Sequence, residues 1–228
     1  SRNPFPDGAM AGSTRAAPLL LVLGTALFVT LIFRVFPFLA AEEAVADARL
    51  ALLGPVAAEQ NAQVALVTIT EDTLALLPYR SPVNRALLAD VTLALKAAGA
   101  RAIGFDILFD RPTEPEKDEA FLAATRGEGV PVVLAWADSS LGLDEVQVAT
   151  LGAFIAASGA RPAVPLLAVD AAGTVRRLPP REMAGKPSLP VALAEAAGES
   201  APHIEGRIAY LRPPADGTDT FLAMPAHA

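Results

Sequence analysis

From Ala16 to Phe33 the chain carries no charged side chain, and apolar residues fall on every face that a helix would present. At ~1.5 Å per residue the run is ~27 Å long, close to the ~30 Å hydrocarbon thickness of a bilayer. Arg34 closes it beside Phe36 and Phe38, where an arginine can snorkel to the headgroups. The pattern predicts a retained transmembrane helix over residues 16–41. Two other readings compete. Ala44-Val45-Ala46 has the small-x-small form of a signal-peptide cleavage site, but it lies far beyond an apolar run already longer than a signal core. A helix buried in a soluble protein is the plainer alternative, yet no face of this one is polar. Arg2 and Arg15 before the run match Arg34 and Arg49 after it, so basic residues do not orient it. The chain begins with Ser1 rather than Met, and residues 1–15 are expected to be a leader or tag.

Beyond this segment the rhythm changes. Glu42 to Leu53 can continue as a helix, stopped by Gly54-Pro55. Gln63 to Thr70 is β-branched and apolar, the pattern of a buried strand. Ser81 offers an N-cap and Pro82 a first helical position to a helix from Val83 to about Ala98. Its apolar stripe is Leu87, Leu88, Val91, Leu95 and Ala98, with Arg85, Thr92 and Lys96 opposite. Gly99 ends that helix and Arg101 to Phe109 forms the next strand, so a βαβ unit with two parallel strands is expected. The pattern repeats in a helix from Glu116 to Arg126 and a strand from Val130 to Trp136. Asp144 to Ser158 then reads as a helix. Ala163 to Val169 and Thr174 to Leu178 read as strands joined at Ala171-Ala172-Gly173. Pro187 to Ala197 is a helix and Arg207 to Leu211 a last strand; from Pro213 on, Pro, Gly and Asp leave no closing element. The expected fold class is α/β: an N-terminal transmembrane helix, then one domain over residues 42–228 with a single doubly wound, mixed, mostly parallel sheet and flanking helices.

Composition narrows the function. Of 228 residues, 53% are hydrophobic, ample for a core, and the formal net charge is −7. With 18 basic against 25 acidic residues and no basic cluster, nucleic acid is excluded as a partner. The absence of cysteine removes disulfides, thiol catalysis and thiolate metal sites. His203 and His227 lie apart from any Ser/Asp set, which argues against a triad or a zinc site. Gly127-Glu128-Gly129 lacks the third glycine and following helix of a phosphate loop, and Tyr79, Trp136 and Tyr210 read as isolated packing aromatics.

Two groups of residues carry candidate chemistry. Asp106 and Asp110 should lie at the carboxyl end of a strand, where ligands collect in such sheets. Their spacing of four does not match a phosphatase-type pair, so no catalytic residue, metal or cofactor is expected. Arg80 and Arg85 flank the start of the first domain helix, and with its exposed N–H groups they would form an anion pocket. Against this stands a purely structural pairing, Arg85 with Asp106 or Arg80 with Asp110, that stitches adjacent loops. The candidate ligand-binding residues are therefore Arg80, Arg85, Asp106 and Asp110.

An ordered set of segments resembles one family. These are Val64 to Thr70, Tyr79-Arg80-Ser81-Pro82-Val83-Asn84-Arg85, the helix from Leu87 to Gly104, Phe105 to Asp110 and Pro112 to Asp118. Asp170-x-x-Gly173-x-x-Arg176-Arg177 and Lys186-Pro187-Ser188-Leu189 follow. Together they are similar to the second class of CHASE domains, the cyclase- and histidine-kinase-associated sensory extracellular domains. The resemblance implies an extracytoplasmic input domain behind a helix in the inner membrane, in the periplasm or outside the cell. It implies a cytoplasmic cyclase or kinase output elsewhere in the receptor, and a chain that stops short of the family's final strand. Expected partners are the membrane, an unidentified small-molecule or protein ligand, and a second copy in the full receptor. A membrane-anchored hydrolase or a docking scaffold are the alternatives.

Overall fold

The computed structural model describes residues 16–35, 38–126, 129–200 and 206–228; the expected leader, Phe36, Pro37, the Gly127-Glu128 pair and His203 lie outside the described residues. Two compact units result, Ser1–Pro55 and Val56–Ala228. The first holds α1 (Ala16–Val35) and α2 (Phe38–Leu53), so two helices stand where one span was expected over residues 16–41. Thr25 and Thr30 return their hydroxyls to the carbonyls of Leu21 and Ala26 at 2.8 and 2.7 Å, leaving no free donor on the helix wall. Leu19, Leu21, Leu23, Leu27 and Phe28 are all exposed. Among the described residues no helix is long and apolar enough to cross a membrane.

The second unit runs β1 (Asn61–Thr68), α3 (Glu71–Ala75), α4 (Arg85–Ala97), β2 (Ile103–Phe105), α5 (Pro115–Arg126), β3 (Val132–Ala135), α6 (Glu145–Ser158) and β4 (Arg161–Ala163). Then come β5 (Ala168–Val169) antiparallel to β6 (Val175–Arg177), β7 (Glu182–Met183) antiparallel to β8 (Lys186–Pro187), α7 (Leu189–Ala196) and β9 (Phe221–Pro225). The α/β class holds, but the single sheet does not. The strands form four ladders, the largest being the parallel β2-β3-β4. β1 does not join β2, as the βαβ expectation required; it pairs in parallel with β9, which occupies the tail where no closing element was expected. Outside that two-stranded ladder there is little to cover either face, and β1 is exposed along most of its length rather than buried. Arg207 to Leu211 forms no strand; Arg207 makes a lone bridge to Arg177.

The β2-β3-β4 sheet is the organising layer. All four residues of β3 are buried, as a central parallel strand covered on both faces requires. Ile103, Phe105, Val132 and Leu134 pack against α4, α5 and α6 through Leu88, Ala89, Phe121, Ala124, Leu151 and Ile155. Val133 and Ala163 face α7 at Ala192. At Gly104 a Cβ would lie 2.7 and 2.8 Å from the two methyls of Leu193, so a larger residue here requires the Leu193 side chain of α7 to shift.

Helix ends explain the remaining boundaries. α4 is capped by Asn84, whose Oδ1 accepts from Ala86 N–H at 2.9 Å and Leu87 N–H at 3.4 Å, so the helix starts three residues later than the Ser81 cap predicts. It closes with Gly99 at φ +82°, where Ala100 N–H donates to Leu95 O and Gly99 N–H to Lys96 O. Asp144 and Gln147 form a reciprocal capping box at the start of α6. The Asp170-to-Arg177 segment is a hairpin: Asp170 Oδ1 accepts from Ala172 and Thr174 N–H, its carboxylate pairs with Arg176, and Gly173 takes φ +77°.

Gly104→Ala is expected to cost about 1–3 kcal/mol in overpacking, read as a lower unfolding midpoint. Adding Leu193→Ala should recover part of that loss, giving a coupling above the additive sum; strict additivity would show that the close approach is not what the glycine serves.

Candidate functional site

Counting from Asn84, the buried face of α4 is Arg85, Leu88, Ala89 and Thr92. Their spacing of i, i+3, i+4 and i+7 turns the first helical residue inward, although it is an arginine. Thr92 tolerates burial by donating its hydroxyl to Leu88 O at 2.6 Å. The sequence pattern puts both Arg85 and Thr92 on the outer face; the structure reverses that assignment because the core packs on the face of Leu88 and Ala89 rather than on that of Leu87 and Val91.

The Arg85 side chain is 1% exposed. Its guanidinium carbon lies 4.3 Å from the centroid of Phe109 and 5.8 Å from that of Phe154. Phe109 stacks in turn on Phe121 and Phe154, with centroids 5.1 and 4.9 Å away. The aromatic cluster thus draws on the loop after β2 and on α5 and α6. Arg85 Nη1 donates to Val83 O at 3.3 Å, and Nε has no hydrogen-bond partner. Asp118 Oδ1 is 3.6 Å from Nε, a charge contact beyond hydrogen-bond length. Both Asp118 oxygens are already engaged, accepting from Thr113 N–H at 2.8 Å and Thr113 Oγ1 at 2.6 Å. Burial pulls the Arg85 pKa below its ordinary value, and the charges of Asp118, Tyr79 and Asp110 oppose that shift.

Above this pair opens a cleft of about 400 Å³ lined by Ser81, Pro82, Val83, Arg85, Ile107, Leu108, Asp110 and Arg111. Asp110 Oδ2 accepts from Gln147 Nε2 at 2.5 Å and lies 4.0 Å from Arg111 Nε. Of the four candidate residues, Arg85 and Asp110 therefore meet at one cleft. The other two lie elsewhere. Arg80 is exposed and pairs with Glu71 at the start of α3, while Asp106 is exposed and has no ion-pair partner among the described residues. Neither expected pairing, Arg85 with Asp106 or Arg80 with Asp110, forms. The helix N-terminus is not a free anion site either, because Asn84 already takes its leading N–H groups.

Sequence reasoning missed Asp118 as a partner, although its place in the first turn of α5 beside Thr113 was readable. It also missed a second cluster at the rim. Glu114 accepts from Tyr79 Oη and from Lys117 Nζ, each at 2.7 Å, and so ties the loop before α4 to the start of α5. The bonds from Lys117 and then Tyr79 hold the Glu114 carboxyl down at about 2, and the same carboxylate raises Lys117 and Tyr79.

Compared with known families, residues 23–225 match the CHASE2 domain, and the match runs across the cleft, the capped helices and both strands of the β1-β9 ladder. The chain belongs to the CHASE2 domain family. CHASE2 domains are extracellular sensory domains rather than catalysts. No curated protein and no solved structure shows significant similarity to the chain.

Asp118→Ala should destabilise the domain by about 3–5 kcal/mol, because it strips the nearest countercharge from a buried guanidinium. Arg85→Met, which keeps the contact with Phe109 and leaves Asp118 bonded to Thr113, should cost far less; equal losses by denaturant unfolding would show that the charge contact does not matter. A carboxyl held at about 2 in the fold, against 4.5 ordinarily, contributes stability that is complete above about pH 4.5 and is lost as pH falls toward 2. Glu114→Gln should flatten that part of the stability–pH curve, lowering stability near neutrality and leaving it little changed near pH 2.

Proposed function

We propose that this CHASE2 domain is the extracytoplasmic input module of an inner-membrane receptor, turning the binding of a small ligand into a signal for a cytoplasmic cyclase or kinase. The observation that carries the reading is the family match over residues 23–225, because that family senses from outside the cytoplasm. The membrane part rests on sequence and exposure. Ala16 to Phe33 is uncharged, and the leucines of α1 are exposed on all sides, a surface that lipid covers at no cost and water does not. In this reading α1, with the apolar residues beside it, is the anchor, the domain faces the periplasm or the exterior, and the full receptor acts as a homodimer.

A ligand can shift such a module only through a difference in affinity between two arrangements. The cleft favours this over the scaffold reading. It brings side chains from the α3–α4 loop, the start of α4 and the β2–α5 loop to one place, so an occupant would bear on three segments together.

Because the chain has no cysteine, one introduced thiol reports its own location. Ala172→Cys, at the exposed tip of the β5–β6 hairpin, should react with a membrane-impermeant maleimide in cells whose inner membrane is intact. Reaction only after that membrane is broken would place the domain in the cytoplasm and remove the sensor reading.

A further inference from the structure

Arg85 has five N–H donors and, among the described residues, a single hydrogen bond, a 3.3 Å contact to Val83 O. A buried guanidinium left this short of acceptors costs stability unless something else meets it. The surroundings do not. Asp118 Oδ1 stays 3.6 Å from Nε, beyond hydrogen-bond length, no bond joins Arg85 to Asp110, and Nε is buried without a hydrogen-bond partner. Yet Arg85 lines a cleft of about 400 Å³, within the range of small-molecule sites.

The lining restricts the occupant. The guanidinium is a planar fork, which matches the two coplanar oxygens of a carboxylate. Asp110 and Asp118 are both close, so a doubly charged anion such as phosphate meets about twice the repulsion that a single charge does. Pro82, Val83, Ile107 and Leu108 offer apolar wall to a short hydrocarbon body, while Arg111 stands exposed at the rim. We infer that this cleft binds a small monocarboxylate with an apolar body, its carboxylate taken by Arg85. The inference rests on the sensor reading and deepens it by naming the ligand class.

The test is thermal unfolding of the full chain in detergent micelles, with sodium isovalerate as probe and ionic strength held by sodium chloride. Isovalerate should raise the midpoint in a saturable way. Isovaleramide, of the same shape without the charge, and inorganic phosphate should not. Leu108→Trp, which fills the cleft from a half-buried position without touching Arg85's charge, should weaken the response about tenfold or more, and Arg85→Met should do the same. If Arg85→Met fails to fold, Leu108→Trp decides. An equal response to isovaleramide or phosphate, no saturable response to isovalerate, or a full response in Leu108→Trp overturns the proposal. Failure here, with the Ala172→Cys thiol labelled in intact cells, removes the ligand class alone; labelling only after lysis removes the sensor reading, whatever binds.

Discussion

A charged group held out of water must find its countercharge and its packing inside the fold, and Arg85 imposes that condition on most of its domain. Its guanidinium rests against Phe109 in the loop after β2 and near Phe154 in α6, and its nearest carboxylate is Asp118 in α5. Three segments besides its own helix are thereby fixed around one side chain. The stacked and edge-on rings of Phe105, Phe109, Phe121 and Phe154 add about 0.5–1.5 kcal/mol per pair beyond their buried area, which helps to offset the desolvation of the cation.

What the sequence shows clearly is local. The helix after Asn84, its glycine stop at Gly99 and the Asp170-to-Arg177 hairpin each rest on contacts within a few residues, and the unbroken apolar run of β3 marks it as a buried strand; each stands close to where its pattern puts it. β9 is invisible for the opposite reason. Phe221 to Pro225 is too short and too close to Pro and Gly to announce a strand, and it becomes one only against β1, 156 residues away at the Thr68 contact. Local pattern carries no information on such a pairing.

The candidate site is half legible for a related reason. Arg85 and Asp110 are candidates through their place at helix and strand ends, and they do meet. Arg80 and Asp106 qualify on the same grounds, but their side chains leave the cleft, one for Glu71 and the other for solvent. The deciding variable is which face of α4 the core covers. Residues 85, 88, 89 and 92 share one face wherever the helix starts, and that face packs inward rather than the stripe through Leu87 and Val91. The contacts with Phe109 and Phe154 that make Arg85 a buried charge are long-range, and local pattern does not reveal them.

The β1-β9 ladder has a mechanical meaning of its own. Asn61 lies opposite Phe221 and Thr68 opposite Pro225, so the first and last strands of the domain run side by side in the same direction. Tension drawn backward on the entry of β1 and forward on the exit of β9 would load these rungs in shear, all at once rather than one after another. A parallel pair stressed in this way resists as a block and then lets go abruptly. For a module that takes in its chain at one of these strands and releases it at the other, that is the behaviour of a latch with a threshold.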